Sequence, residues 1–306
     1  MKFLQSIGAP ILLACLAAGT IAVAQPPAAA VPAAPHGPMA GPVRLQQIAP
    51  NVYWSSEGGN VGVVIGKTGV IVFDAKIDAK RASELQARVA EITPKPIRAV
   101  IVSHVDEDHV GGLGAFPAGI EIIAQTKTRD LLRADAEAGR GPVAKDRLPN
   151  HVVANRETVA IGGEAIQLLH WGPAHTSGDL TAFFPRERIV FAADIFCMDQ
   201  PRPYIKTELG GNSAGWVRSA QAIMALKPRL VVVGHGEPQT PDSLRPFIRE
   251  AVTERAGIIR LAAQGKTLPE IEAAVHEPQP TTGTYPPGAH LAQFAKAVYA
   301  EVAQRK

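Results

Sequence analysis

The 306-residue sequence predicts an α/β layered sandwich. Short β-rich apolar runs recur in both halves of the chain, and helical periodicity falls between and after them. The strongest polar clusters sit at the ends of those runs, where loops carry reactive groups on a rigid scaffold. Composition agrees with a packed core: 46% of residues are hydrophobic and 19% charged. Aromatics are only 5%, so that core must be mostly Ala, Val, Ile and Leu. The formal net charge of +3 is spread over scattered Lys and Arg, which argues against a dedicated nucleic-acid binder.

The first residues stand outside the pattern. Met1 and Lys2 precede an apolar stretch that ends in Ala22-Val23-Ala24, a small-x-small cleavage signal. Residues 1–24 therefore read as a secretory signal peptide. Gln5, Ser6, Gly8 and Pro10 leave too short an apolar run to span a bilayer comfortably. The alternative is a lipoprotein signal, because Leu12-Leu13-Ala14-Cys15 loosely fits a lipidation box. Cleavage removes Cys15 and leaves Cys197, so no internal disulfide is available to the exported chain. Residues 25–42 are Pro/Ala-rich and aperiodic, a tether in which His36 is inert. The expected product is periplasmic, without a stable membrane anchor.

From Val43 onward the elements follow in order. Val52 to Ser55, Val61 to Ile65 and Val70 to Phe73 are strands separated by Gly58-Gly59-Asn60 and Lys67-Thr68-Gly69, an antiparallel meander. A helix over 79–92 leads to the strand Ala99 to Val102, whose continuous apolar run implies cover on both faces. The strand Ile120 to Ala124 and a helix over 127–138 come next. Strands follow at Glu164 to Leu169, Leu180 to Phe184 and Ile189 to Phe191, then a helix over 213–226 and the strand Leu230 to Val233. After Gly236 the periodicity turns helical, over 241–263, 267–275 and 287–303, with no linker before it.

Polar clusters follow several of these strands. Ser103-His104-Val105-Asp106-Glu107-Asp108-His109 crowds four potential ligands into six residues before Gly111-Gly112. Such a loop can fold around a metal pair, since alternate side chains of extended chain share a face and the glycines allow a sharp turn. Imidazole with carboxylate suits Zn, Fe or Mn. Each cluster also has a plain reading: a surface acidic loop, a hydrogen-bonded loop histidine at His175, a strand-end cap at Asp194, a turn histidine at His235. Asp74, after the Val70 to Phe73 strand, is a weaker fifth cluster. Their joint occurrence after apolar strands favours a site.

With those residues in view, the chain resembles the metallo-β-lactamase superfamily over nearly all of its length after the tether. The family's HxHxDH loop corresponds to HVDEDH, and its GHT-like turn to Ala174-His175-Thr176. Its strand-ending Asp corresponds to Ala192-Ala193-Asp194 and its GHG-like turn to Gly234-His235-Gly236. More narrowly, GPAHTSGDL and the helical 241–306 tail resemble exported bacterial members. The resemblance implies a four-layer αββα sandwich over 43–306, with the extra C-terminal helices packed on it and two divalent metals, zinc foremost, between the sheets. One metal would be held by His104, Asp106 and His175, and the other by Asp108, His109 and His235, with Asp194 bridging. A metal-bound hydroxide would then attack a carbonyl or phosphoryl group, oriented by the catalytic Asp108, while Asp74 steadies a ligand histidine.

Asp106 departs from the family, which usually has a second His there. Flavodiiron proteins resemble this with Glu, and some DNA-uptake proteins with HxDxDH. A working variant, a single tight metal at Asp108/His109/His235, or lost catalysis are the three readings. Three anions facing two dications would lower the metals' Lewis acidity, favour Fe or Mn, and weaken hydrolysis of neutral amides. On that count Asp106→His should tighten metal binding.

Cys197 is expected to be a small packed residue, not a ligand. His151, His170, His276 and His290 match no ligand position, while His170 and Trp171 could rim a pocket. Phe196, Met198, Tyr204 and Trp216 are offered as its wall. Lys206 is a weak match for the lysine with which β-lactamases hold the drug's carboxylate. The function expected is hydrolysis of a small-molecule ester, lactone, thioester or amide, a β-lactam being the most concrete. The alternatives are a phosphodiesterase or nuclease, an oxygen- or NO-reducing di-iron protein without the flavodoxin-like domain it would need, and a metal-binding protein without turnover.

Overall fold

The computed structural model describes residues 41–275 and 292–303. The expected signal peptide, Cys15, His36, nearly all of the expected tether, His276, His290 and the 287–291 part of the last expected helix lie outside the described residues. Among those described, no helix is long and apolar enough to cross a membrane.

The elements run β1 (Gln46–Ala49), β2 (Val52–Ser55), β3 (Val61–Ile65), β4 (Val70–Phe73), α1 (Ala79–Ile92), β5 (Ile97–Ile101) and the single turn α2 (Glu107–Val110). Then come β6 (Glu121–Gln125), α3 (Thr126–Glu137), β7 (His151–Val153), β8 (Arg156–Ile161), β9 (Glu164–Leu169), β10 (Thr181–Phe184) and β11 (Ile189–Cys197). The chain continues through α4 (Ser213–Ala225), β12 (Leu230–His235), α5 (Pro241–Ala263), α6 (Leu268–Val275) and α7 (Ala292–Ala303). A seven-stranded sheet takes β1 to β7 in chain order, and a five-stranded sheet has the order β12-β11-β10-β9-β8.

Side-chain alternation along the strands builds the layers. In β4, Val70 and Val72 face α1 and α3 with Leu85, Val89 and Leu132, while Ile71 and Phe73 face the second sheet. In β11, Ile189, Phe191 and Ala193 meet that inner layer, while Val190 and Ala192 join Ala220, Leu244, Ala251 and Phe294 under the C-terminal helices. The result is helices, sheet, sheet, helices. Phe191 anchors the inner layer, stacked 5.4 Å from Phe73 and edge-on 5.6 Å from Phe184.

Several expectations need correction. The strand expected to stop at Phe191 runs to Cys197, because β11 keeps its parallel pairing with β12 through register shifts around a left-handed Ala193 (φ 44°). Asp194 therefore lies inside a strand and not after one. The loop after β5 is extended only as far as Asp106, then turns helical at α2. Gly111 (φ −60°) makes no special turn there. A Cβ on it would sit 1.9 Å from the Ile77 carbonyl oxygen, so close packing demands the glycine. β1, β7 and β8 escape an apolar-run search, since β8 alternates exposed and half-buried residues. Phe196 and Trp216, offered as a pocket wall, have no exposed surface. Phe196 on β11 and Trp216 on α4 are both fully buried in the outer core, their rings 6.1 Å apart edge to face.

Phe191→Ala is expected to cost about 3–5 kcal/mol in urea unfolding, the usual range for a truncated core aromatic. Arg140→Ala, which breaks an exposed pair with Asp135, should cost at most about 1 kcal/mol. Equal losses would contradict this placement of the inner layer.

Candidate metal centre

The change from extended chain to helical turn sorts the polar loop into two groups. His104 and Asp106 converge with His175 and Asp194, while Asp108 and His109, on the turn, converge with His235. Within each group the donor atoms lie within 4.8 Å of one another. All the sequence-singled metal candidates thus come together at one end of the two sheets. Cys197 joins Asp194 and His235 in a third, overlapping group.

The imidazoles are held from behind. Asp74, buried at φ 68°, accepts from the Ser103 backbone N–H at 2.7 Å and the Ser103 hydroxyl at 2.8 Å. Its Oδ2 also accepts from His109 Nδ1 at 2.8 Å. Since the Ser103 hydroxyl donates to a carboxylate, it must accept from His104 Nδ1, 2.8 Å away. His175 Nδ1 donates to the Tyr204 carbonyl at 2.7 Å. In its neutral form each of these rings is therefore the tautomer whose bare Nε2 faces the cluster.

Those inward nitrogens meet carboxylates at spacings suited to a shared cation. His104 Nε2 and His175 Nε2 lie 3.3 and 3.2 Å from Asp106 Oδ2. His109 Nε2 and His235 Nε2 lie 3.3 and 3.1 Å from Asp108 Oδ2. Asp194 stands between the groups, Oδ1 3.1 Å from His109 and Oδ2 3.5 to 3.8 Å from His235, His175 and His104. Ligands about 2.0–2.1 Å from a tetrahedral ion sit roughly 3.3–3.5 Å apart. Moreover, His104 Nε2, His109 Nε2 and Asp194 Oδ1 are buried without a hydrogen-bond partner. Orphaned inward donors at that spacing fit a divalent metal pair. The backbone makes room for it: a Cβ on Gly234 would fall 1.8 Å from Asp194 Oδ1.

The electrostatics follow from burial and proximity. Burial alone would push the carboxyls of Asp106, Asp108 and Asp194 up, but the facing imidazoles outweigh it and hold all three well below the usual range. Burial opposes charge on His109 and His235 too, yet the adjacent carboxylates raise both, and they raise His175 to about 9. The carboxylates that favour a proton on these rings would favour a cation in the same place.

Two lysines complete the surroundings. Lys206, the weak match in sequence, places Nζ 2.5 Å from Asp106 Oδ2. The sequence count of three uncompensated anions is therefore corrected, because one of them carries its own ammonium. Lys76 escaped notice altogether. Fully buried at φ 68°, it donates from Nζ to the carbonyls of Ser55 and Gly59, both at 3.0 Å. Burial pushes its ammonium down to about 7 against the pull of Glu57. The turn it clamps carries Asn60, whose amide donates to the carbonyls of Val233 and Gly236 at 2.7 and 2.8 Å, on either side of His235. The Gly58-Gly59-Asn60 turn was legible, but its contact 173 residues away was not.

The remaining candidates sort clearly. Tyr204 lies beside His175, ring centroids 5.4 Å apart. His151 bridges Glu121 and Glu157 away from the cluster. His170 bonds to the Asp179 carbonyl, and Trp171 packs against the outer core. Cys197 is buried, and burial followed by the Asp194 and Asp199 charges pushes its thiol well up.

Because cations must displace those protons, zinc added to metal-free protein at about pH 7.5 should release roughly one proton or more per chain. Zinc affinity should weaken as pH falls, as followed by calorimetry in buffers of different ionisation enthalpy; a pH-independent affinity would contradict the raised pKa of the ligand histidines. Asp74→Ala should lower zinc affinity by about 10–100-fold, and an unchanged affinity in chelator competition would remove its aiming role.

The Lactamase_B family, described as the metallo-beta-lactamase superfamily, matches residues 56–235. The alpha subunit of 2,4-dinitroanisole O-demethylase from Nocardioides sp. (strain JS1661) is 27% identical over 172 residues, 56% of this chain and 50% of its own length. Metallo-beta-lactamase IND-1 of Chryseobacterium indologenes is 25% identical over 181 residues, 57% of this chain and 70% of its own. Among solved structures, the inverting sec-alkylsulfatase Pisa1 from Pseudomonas sp. superposes with a TM-score of 0.66 at 17% identity, over 85% of this chain and 50% of that one. The chain spans about half the length of the demethylase subunit and of the alkylsulfatase. With the family matched over more than half of its residues, the chain belongs to the metallo-beta-lactamase superfamily.

Proposed function

We propose that the protein is a periplasmic metallo-hydrolase, with two divalent cations, zinc foremost, that cleaves a small ester, lactone, thioester or amide, a β-lactam among them. The observation that supports it is the convergence of two donor groups sharing Asp194, with tautomers locked so that bare nitrogens face inward. His104, Asp106 and His175 would hold one cation, Asp108, His109 and His235 the other, with Asp194 between them. Bound there, the pair would polarise the scissile group and lower the pKa of an attacking water.

The chain's own residues supply the rest. Asp108 is the most exposed of the carboxylates, its side chain 23% accessible against 10% for Asp106 and 5% for Asp194. That exposure leaves its second oxygen free to orient the water. Tyr204 and Lys206 border the other group. The sulfate-ester and β-lactam chemistries named for relatives make both classes sensible starting substrates, and the N-terminal leader pattern supports export.

The test is a panel of β-lactams, lactones, thioesters, alkyl sulfates and phosphodiesters, run with metal-loaded and chelator-stripped protein. The expected result is turnover of at least one class, abolished by the chelator, restored by metal, and reduced about 100-fold or more by Asp108→Asn. Metal-loaded protein with no turnover on any class, or activity indifferent to chelator, would overturn the reading.

A further inference from the structure

We propose that Asp106 and Lys206 form one matched unit, in which the lysine neutralises the carboxylate so that the first donor group meets its cation with the net charge of an ordinary histidine-rich set. This inference rests on the reading that Asp106 is a metal ligand.

The contact is built, not incidental. Lys206 Nζ and Asp106 Oδ2 are 2.5 Å apart, although the residues are separated by 100 positions in sequence. Both side chains are largely shielded, at 19% and 10% exposure. The lysine's backbone is fastened to the same donor group: its N–H donates to the His175 carbonyl at 2.9 Å. Its own carbonyl accepts from Gly211 at 2.8 Å and from Leu209 at 3.0 Å. The Tyr204 ring lies 5.4 Å from Nζ, and the Tyr204 carbonyl holds His175. One short segment therefore aims His175 and delivers an ammonium to Asp106. Further out, Arg202 pairs with Glu254 on α5 at 2.5 Å, tying that segment to the C-terminal helices.

Charge arithmetic gives the arrangement its purpose. Without the lysine, the first donor group would present two carboxylates, Asp106 and Asp194, to a single cation. With it, the Asp106 charge is cancelled locally, as a neutral imidazole would leave it. In a partly buried site an ammonium left facing a dication without its carboxylate is strongly repelled. The lysine is thus compatible with metal only while Asp106 stands between them. The consequence reverses the expectation drawn from sequence: Asp106→His, made alone, strands Lys206 and weakens the first metal site.

The experiment is a double-substitution cycle on the full chain, read by zinc competition with a chromophoric chelator and by the visible spectrum of the cobalt-substituted protein. Asp106→His should weaken the first site about tenfold or more, and adding Lys206→Met should restore it to within about threefold of the original; coupling of that size is usual for contacting charges. Lys206→Met alone leaves the Asp106 charge uncancelled and should tighten the first site about threefold or more. If Asp106→His fails to fold by circular dichroism, Asp106→Asn removes the same charge and should show the same rescue. Equal affinities for Asp106→His and the double variant would overturn the matched pair while leaving Asp106 as a ligand. Asp106→Ala with both zinc ions still bound at unchanged affinity would overturn the ligand reading, and the pair with it.

Discussion

The three hydrogen bonds accepted by Asp74 hold the two halves of the site together. One oxygen takes the Ser103 backbone and the other takes both the Ser103 hydroxyl and His109. Through Ser103 the same carboxylate governs His104. A single buried anion at the end of β4 thereby fixes one histidine from each donor group. Its left-handed backbone is a local cost repeated at Lys76 and Ala193, which also flank the cluster. Such strain persists where surrounding contacts over-determine it, and here those contacts are the site itself.

The sandwich explains why so many charges can be gathered in one place. Each sheet contributes residues to the same edge: Asp74 and the loop after β5 from one, Asp194 within β11 and His235 at the end of β12 from the other. The inner layer around Phe191 keeps those edges in register. The C-terminal helices act at one remove. They cover the outer face of the second sheet, and through Arg202 and α4 they brace the segment that carries Tyr204 and Lys206. Burial makes the cluster unfavourable as a set of bare charges, which is why imidazole and carboxylate alternate through it and why cations fit among them.

Much of this was legible in the chain. The bounds of α1 and α5 follow from apolar periodicity, and HVDEDH, His175, Asp194 and His235 could be picked out because strand-end polar clusters are rare in apolar surroundings. What stayed hidden were features with no local signature. Asp194 looked like a strand terminus because the left-handed Ala193 interrupts the register without ending the strand. Lys206, Lys76 and Asn60 act through contacts set by the fold, across tens to hundreds of residues, and a lysine or asparagine carries no spacing that announces such a partner. Phe196 and Trp216 misled for the opposite reason, since nearness in sequence to a site loop says nothing about which face of the sheet a ring occupies.

The chemistry of the site depends on both donor groups holding a cation, with Asp106 as a ligand of the first. Anomalous diffraction at the zinc edge from crystals of the metal-replete protein addresses that directly. The expected map has two peaks, one among His104, Asp106 and His175 and one among Asp108, His109 and His235, with Asp194 touching both. A single peak in the second group, with Asp106 engaged only by Lys206, would contradict the account.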